Sequence, residues 1–227
     1  MIKFTNFVIS LFPKFKDSKI SGGLISNSAP KVLITAFEPF GGSDINPSQE
    51  VLKGLREPEG WSLEKLLLPV SHEKLETDLS RQLANSYPDL ILSLGEARGA
   101  NCFKIECQAQ NLLEFSIPDN DGKTIRNTPI KKQGSPTLQA TLCQSTIAQS
   151  FLNLKLAARI SQDAGTYLCN QLLYTLCHRF MGSSTKVGFL HLPSLPEQNF
   201  GNGVALSRQI IAVQTILKAL CLDKIRE

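Results

Sequence analysis

The sequence predicts an α/β fold, a three-layer sandwich in which helices flank a largely parallel, twisted central sheet. Short apolar segments typical of buried strands recur along the chain, and segments with apolar side chains at helical spacing lie between them. The chain has 227 residues, of which 42% are hydrophobic. This is enough for one well-buried domain, since single cores stop growing only at roughly 250 to 300 residues. We therefore expect residues 31–227 to form a single α/β domain.

The first half of the chain contains three predicted strands and two predicted helices. The strands are the apolar segments at residues 31–37, 63–70 and 90–94. The turn-forming sequence EPFGG at 38–42 ends the first strand. One helix is expected to begin at Ser48 and a second to cover residues 71–87, where leucines recur at four-residue spacing.

The second half begins with alternating apolar and polar side chains over residues 103–110, which predict one strand with a polar face that carries Glu106. PDNDG at 118–122 predicts a turn. The remaining predicted elements are helix 138–151, strand 157–160, a helix that opens at 165–166 and is apolar on one side as far as Phe180, strand 187–192 and helix 204–222.

The turns after the predicted strands are where chemistry is expected. In such sheets ligands bind outside the carboxyl ends of the strands. The turns after Phe37, Leu94 and Leu190 all leave strands at ends of that kind.

Residues 1–30 differ from the rest of the chain and predict a flexible N-terminal extension. Apolar side chains there are mixed with four lysines, and Asp17 is the only acid. A targeting peptide is the alternative. Against it, the apolar stretch is short, no small-residue cleavage site follows closely, and the stretch contains no arginine.

Composition and spacing argue against several classes of partner. Lys and Arg number 24 against 20 Asp and Glu, and the net charge of +4 is spread along the chain, so nucleic acid is not expected. No apolar run approaches the ~18 to 20 residues that cross a membrane, so we expect a soluble protein. The three histidines are scattered without metal-ligand spacing, and we expect no metal and no cofactor.

The six cysteines contain no CxxC pair, and the chain is too long for the small disulfide-stapled class. A reducing cytoplasm fits them best. Cys169 lies in or near the first turn of its predicted helix, where unpaired amides and the helix dipole favour a thiolate. The competing interpretation, a small buried hydrophobe, is the one we apply to Cys177, about two turns further on.

His191 lies at the end of a predicted buried strand, where its ring could project into a cleft and accept a thiol proton. A core histidine bonded to a backbone carbonyl is the alternative. Glu106 is weaker evidence, because a carboxylate on the polar face of a strand is usually solvated. The glycines of segment 35–48 could cradle a phosphate, but the segment lacks both G-K-[ST] and GxGxxG.

Four motifs in register resemble the pyroglutamyl peptidase I family of cysteine peptidases, also called pyrrolidone carboxyl peptidases. They are TAFEPFGG at 35–42 with the following Asn46-Pro47-Ser48, IPDNDG at 117–122, AGTYLCN at 164–170 and HLPSLPEQ at 191–198. The similarity extends from about Lys31 to Leu222. It implies a peptidase domain over 31–227 that hydrolyses the N-terminal pyroglutamyl residue of peptides through a thioester acyl-enzyme. It also implies a cytoplasmic protein that can form homodimers or homotetramers.

The resemblance assigns roles to individual residues. The catalytic triad it implies is Cys169, His191 and Glu106. The pocket for the lactam ring has Phe37 and Phe40 as walls, with Asn46 nearby and Tyr167 as a further wall.

One loop departs from the family pattern. The family usually has a GQAGGR-like run after the third strand, whereas this chain has GEARGA at 95–100. Glu96 therefore falls where the family has glutamine, and we expect its carboxylate to face the substrate pocket and to raise the pKa of the Cys169 thiol.

Two rival functions remain open on the sequence. One is a non-catalytic or weakly active homologue that binds blocked N-termini, and the other is an amide hydrolase of different acyl specificity. The retained Cys169, His191 and Glu106 favour the active pyroglutamyl peptidase over both.

Overall fold

The computed structural model describes residues 29–84, 86–142 and 144–226. Within these ranges the strands are β1 (Lys31–Phe37), β2 (Ser62–Leu68), β3 (Leu90–Ala97), β4 (Phe103–Glu106), β5 (Gln108–Gln110), β6 (Thr137–Gln139), β7 (Ala158–Ser161) and β8 (Lys186–Pro193). The helices are α1 (Pro47–Gly54), α2 (His72–Ala84), α3 (Gln144–Asn153), α4 (Leu168–Arg179) and α5 (Leu206–Arg226), with a short 3₁₀ helix at Pro196–Gln198.

Six strands form the central sheet in the order β2-β1-β3-β8-β4-β7. All neighbouring strands in it are parallel except β4 and β8, which are antiparallel. Strand β8, the last of the described strands along the chain, thus lies between β3 and β4. Strands β5 and β6 form a separate antiparallel pair. The predicted largely parallel sheet is confirmed, with β4 and β7 running against the other four strands.

Helices cover both faces of the sheet, because successive side chains of each buried strand point to opposite faces. On β1, Val32 and Ile34 pack in one apolar cluster with α1, α3 and α5, whereas Leu33 and Phe37 pack in a second cluster with α2 and α4. The predicted three-layer sandwich is confirmed. We call these the α5 face and the α4 face.

The structure differs from the sequence prediction in the middle of the chain. The single strand predicted over 103–110 is two strands, β4 and β5, which belong to different sheets and separate at Cys107. The helix predicted to begin at residue 138 begins at Gln144, and β6, which was not predicted, lies before it. Strand β3 also continues to Ala97, three residues beyond its predicted end, and α4 begins at Leu168.

A long irregular excursion, the 111–136 segment, connects β5 to β6 and lies over α2 and α4. Asp119 accepts hydrogen bonds from the backbone amides of His72, Asp121 and Lys123. It therefore caps the N-terminus of α2 from a distant part of the chain. Three exposed ion pairs, Lys74–Asp121, Lys123–Glu73 and Lys131–Glu76, lie along the same contact.

The predicted N-terminal extension lies outside the described residues except for its last two, Ala29 and Pro30. Its separation from the domain therefore stays a prediction. None of the helices in the described part of the chain is long and apolar enough to cross a membrane.

Candidate active site

Glu106 and His191 come together because β4 and β8 are neighbours. Glu106 lies opposite Phe189 in the antiparallel register, and His191 is two residues further along β8 on the same face. Nδ1 of His191 is 2.7 Å from Oε1 of Glu106. Glu106 is only 1% exposed, so it is not the solvated carboxylate that its place on a polar strand face suggested. Its hydrogen bond fixes the ring and leaves Nε2 available for chemistry.

Cys169 approaches the same histidine from the helical layer that covers the α4 face of the sheet. It is the second residue of α4, so it lies among the amides of the first turn, which have no partners within the helix. Its thiol is close enough to His191 to raise the pKa of the ring. The structure thus brings the three predicted catalytic residues together on the α4 face of the sheet.

Gly95 makes this approach possible. It pairs with His191 in the register of β3 and β8. A Cβ atom at position 95 would lie 2.8 Å from Sγ of Cys169 and 2.8 Å from the Phe189 ring. The sulfur therefore lies directly against the backbone of β3, and a side chain at this position would displace it.

The environment of His191 favours the protonated ring. Burial has the largest single effect and lowers its pKa, but negative charge on Cys169, the hydrogen bond with Cys169 and the contact with Glu106 together raise the pKa from 6.5 to about 9. The ring is therefore an imidazolium at neutral pH.

Three further cysteines in the described part of the chain, Cys107, Cys177 and Cys221, are buried. Burial raises the pKa of the Cys177 thiol and that of the Cys221 thiol to about 12. Burial, and then the charge of Glu106, raise the pKa of Cys107. These three remain thiols at neutral pH, in agreement with the structural role expected for Cys177.

Aromatic side chains stand next to the triad. The Phe40 ring is 6.2 Å from the Tyr167 ring, and the Phe115 ring meets Tyr167 edge-on at 4.5 Å. Burial and the negative charges of Asp119 and Cys169 raise the pKa of Tyr167 to about 12. Its hydroxyl therefore stays protonated and donates to the carbonyl of Pro118 at 3.1 Å.

Phe37 and Asn46 are more deeply buried than Phe40. Phe37 is 3% exposed and belongs to the apolar cluster of the α4 face. Asn46 is the N-cap of α1, where Oδ1 accepts from the amide and hydroxyl of Ser48 and Nδ2 donates to the carbonyl of Glu38. Asn46 therefore shapes the EPFGG turn from beneath, and a direct contact with substrate stays a prediction.

Glu96 lies on the other side of β3 from Cys169. Its neighbours Leu92 and Leu94 point to the α5 face, whereas Gly95 adjoins Cys169 on the α4 face. Oε1 of Glu96 accepts from Ser194 at 3.0 Å and from Gln198 at 3.1 Å. Burial raises its pKa, against the hydrogen bond from Ser194 and the charge of Arg98. The strand alternation therefore places the Glu96 carboxylate on the face away from the Cys169 thiol, contrary to the expectation from the sequence.

Sequence reasoning missed several residues at the rim of the site. Ile117, 37% exposed, has its Cδ1 atom 3.4 Å from where a Cβ of Gly41 would lie. Arg98 lies against the Phe40 ring and also against the Phe200 ring. Ile117 opens the IPDNDG motif and could have been singled out there, whereas nothing in the local sequence connects Phe200 with Phe40.

Among the described residues, no group of three or more His, Cys, Asp or Glu could hold a metal ion.

Comparison with known proteins places similar chains in one family. A family model described as pyroglutamyl peptidase matches residues 30–224. The pyrrolidone-carboxylate peptidase of Thermococcus onnurineus is 38% identical over 192 residues, covering 83% of this chain and 94% of that protein.

Solved structures agree with the sequence matches. The crystal structure of pyrrolidone carboxyl peptidase from Thermus thermophilus superposes with a TM-score of 0.79 at 36% identity, covering 83% of this chain and 100% of that one. That from Fervidobacterium islandicum superposes with a TM-score of 0.81 at 34% identity, covering 85% and 99%. All of the site residues described above lie within the matched range 30–224.

Proposed function

This chain belongs to the pyroglutamyl peptidase family of cysteine peptidases, and we propose that Cys169, His191 and Glu106 carry out its reaction. The reaction is hydrolysis of the bond that follows an N-terminal pyroglutamyl residue. The observation that carries this assignment is the contact of Cys169, at the start of α4, with a histidine that Glu106 holds at 2.7 Å.

The first half of the reaction forms an acyl-enzyme. The Cys169 sulfur attacks the carbonyl carbon of the pyroglutamyl residue, and backbone amides in the first turn of α4 stabilise the developing oxyanion. His191 gives its proton to the leaving amine as the carbon–nitrogen bond breaks. The peptide leaves with a free amino terminus, and pyroglutamate stays bound to sulfur as a thioester.

The second half of the reaction releases pyroglutamate. His191, now neutral, accepts a proton from water as the water oxygen attacks the thioester carbonyl. The carbon–sulfur bond breaks, and the imidazolium and the thiolate form again. Glu106 orients the ring throughout and stabilises its charge.

Selectivity for the lactam follows from the aromatic walls. Pyroglutamate differs from an N-terminal proline by a carbonyl that turns a charged amine into a neutral amide. A pocket bounded by Phe37, Phe40 and Tyr167 would desolvate that charge without compensation, so the prolyl peptide is excluded.

The decisive experiment compares hydrolysis of a pyroglutamyl chromogenic amide with that of the matching prolyl amide, with and without a thiol alkylator. We expect hydrolysis of the pyroglutamyl amide alone and its loss after alkylation. Turnover that survives complete alkylation of Cys169 would refute the cysteine mechanism. Hydrolysis of another acyl amide in preference to the pyroglutamyl one would instead favour the rival amide hydrolase.

The natural setting is proposed on the sequence and the family resemblance. We place the protein in the cytoplasm, acting on N-terminally pyroglutamylated peptides, as a homodimer or homotetramer. Fractionation of cells and light scattering of the purified protein test the two statements separately.

A further inference from the structure

Arg98 occupies an unusual position for a side chain in a turn. Its guanidinium carbon lies 4.8 Å from the centre of the Phe40 ring and 4.6 Å from the centre of the Phe200 ring. The two rings come from segments that are far apart in the chain, the EPFGG turn after β1 and the loop after the 3₁₀ helix. A guanidinium is weakly hydrated and stacks on aromatic faces, so one side chain joins both segments.

The same guanidinium holds the backbone of the EPFGG turn. Nη2 donates to the carbonyl of Phe40 at 3.0 Å, and Nη1 donates to the carbonyl of Gly41 at 3.3 Å. Gly41 has φ of +57°, and a Cβ atom there would lie 3.1 Å from Nη1 of Arg98. The turn is thus shaped to receive a planar group that donates two hydrogen bonds side by side, which arginine supplies and lysine does not.

Glu96 provides the countercharge behind this contact. Nη2 of Arg98 is 3.8 Å from Oε2 of Glu96, whose side chain is fully buried while that of Arg98 is 29% exposed. Oε2 has no hydrogen-bond partner within the residues that the structure describes. The buried carboxylate therefore favours keeping the arginine folded against Phe40, because moving the cation into solvent would leave the carboxylate unpaired.

We propose that Arg98 is a positioning residue that fixes the Phe40 wall of the substrate pocket by clamping the EPFGG turn against Phe200. The clamp rests on the proposed function, since it acts on substrate only through Phe40. It is a feature of this chain's GEARGA loop, in which the arginine occupies a different position from that of the family pattern. Its effect should therefore be on substrate binding more than on the chemical step.

The test replaces Arg98 by alanine and by lysine, with Arg81→Ala as the matched control. Arg81 also forms an ion pair, with Asp78 at 2.8 Å, but it lies on the exposed side of α2. For Arg98→Ala we expect KM for a pyroglutamyl amide to rise roughly tenfold while kcat stays within about threefold. Arg98→Lys should give an intermediate KM, because it keeps the charge and loses the two parallel hydrogen bonds. Arg81→Ala should match the wild type.

Hydrogen exchange of residues 38–45 gives a readout that does not depend on catalysis. Exchange in this segment should accelerate in Arg98→Ala and stay unchanged in Arg81→Ala. A merely structural arginine would lower the active fraction and the melting temperature without changing KM, and that result would overturn the proposal. If Arg98→Ala does not fold, Phe200→Ala removes the other side of the clamp, and an unchanged KM in both Phe200→Ala and Arg98→Lys would overturn it.

Different results would overturn the proposed function and the clamp. A folded wild-type protein that does not hydrolyse the pyroglutamyl amide overturns the proposed function and the clamp with it. An active Arg98→Ala enzyme with wild-type KM and wild-type exchange overturns the clamp alone.

Discussion

Cys169 and Cys177 lie about two turns apart on α4 and differ in what surrounds the sulfur. Cys169 contacts His191, whereas burial raises the pKa of Cys177 to about 12. We predict that Cys169→Ala loses at least about four orders of magnitude in kcat with an intact fold. Cys177→Ala should keep its activity and lose about 1 kcal/mol of unfolding free energy. Alkylation at neutral pH followed by mass mapping should show Cys169 reacting first, and a faster reaction at another cysteine would refute the assignment.

The raised pKa of His191 predicts how the rate depends on pH. The ring is cationic below its pKa of about 9 and loses its proton as the pH rises through that value. A neutral ring cannot protonate the leaving amine, so kcat/KM should fall above about pH 9. His191→Ala should be nearly inactive across the whole range.

Glu106→Gln tests the origin of that limb. The substitution removes one of the charges that raise the pKa of His191, so the falling limb should move to lower pH. Activity should drop on the order of 100-fold, less than for His191→Ala, because the glutamine carbonyl can still accept a hydrogen bond from Nδ1–H. Wild-type kinetics and an unchanged pH at which kcat/KM falls would mean that Glu106 is a buried strand residue without a role in catalysis.

Glu96 is where the local sequence and the structure point to different outcomes. A carboxylate next to the thiolate would predict that Glu96→Gln increases turnover. The strand alternation instead places this carboxylate across β3 from Cys169, bonded to Ser194 and Gln198. We therefore predict that Glu96→Gln leaves the pH profile in place. Loss of the countercharge to Arg98 should raise KM by no more than about threefold, because Arg98 keeps its contacts with Phe40 and Phe200. Profiles of both enzymes measured in parallel decide this, and a rising limb shifted to lower pH would restore the first expectation.

At the scale of elements, Asp119 connects the 111–136 segment to α2. It is 5% exposed and accepts hydrogen bonds from three backbone amides, one of which belongs to the first residue of α2. Asp119→Ala would leave buried donors without acceptors, so we predict a loss of about 2 to 3 kcal/mol in unfolding free energy. Denaturant titration measures it.

Asp121, two residues away, is the matched control. It forms an exposed ion pair with Lys74 and accepts from the hydroxyl of Ser71. Exposed ion pairs contribute little to stability, so the unfolding free energy of Asp121→Ala should be far closer to that of the wild type. Equal losses for the two variants would mean that the segment is held by its surface charges and not by the cap.

The division of residues 103–110 into two strands shows the limit of periodicity. Phe103 and Ile105 alternate with polar residues in β4, and Ala109 continues the same alternation in β5. The period of two is a property of each strand alone and carries no information about the partner strand. At Cys107 the amide still bonds to Ser161 of β7, but its carbonyl already accepts from Ala140 beside β6. The change of partner depends on residues more than 30 positions away, which no local pattern contains.

At the scale of the molecule, the layers and the sheet edge that carries the site could be predicted from the sequence. Apolar runs such as those of β1 and β8 are unambiguous, because strands buried on both faces have no polar alternation. Cys169 and His191 were candidates because of a helix start and a strand end, and their catalytic roles were implied by the family resemblance. The reversed direction of β4 could not be predicted. Because β4 pairs antiparallel with β8, Glu106 lies near the ring of His191.

The place of β8 in the sheet has a consequence for how the protein is made. Strand β8 is synthesised after the other described strands, yet it occupies the centre of the sheet, where its pairing with β3 begins at Lys186, opposite Leu90. Until β8 is synthesised, one edge of β3 is unpaired and His191 is absent. A nascent chain therefore has neither a complete central sheet nor a complete active site. Recovery of hydrolysis during refolding is therefore a measure of the slowest, most non-local pairing in the molecule, and it should lag behind the recovery of helical signal.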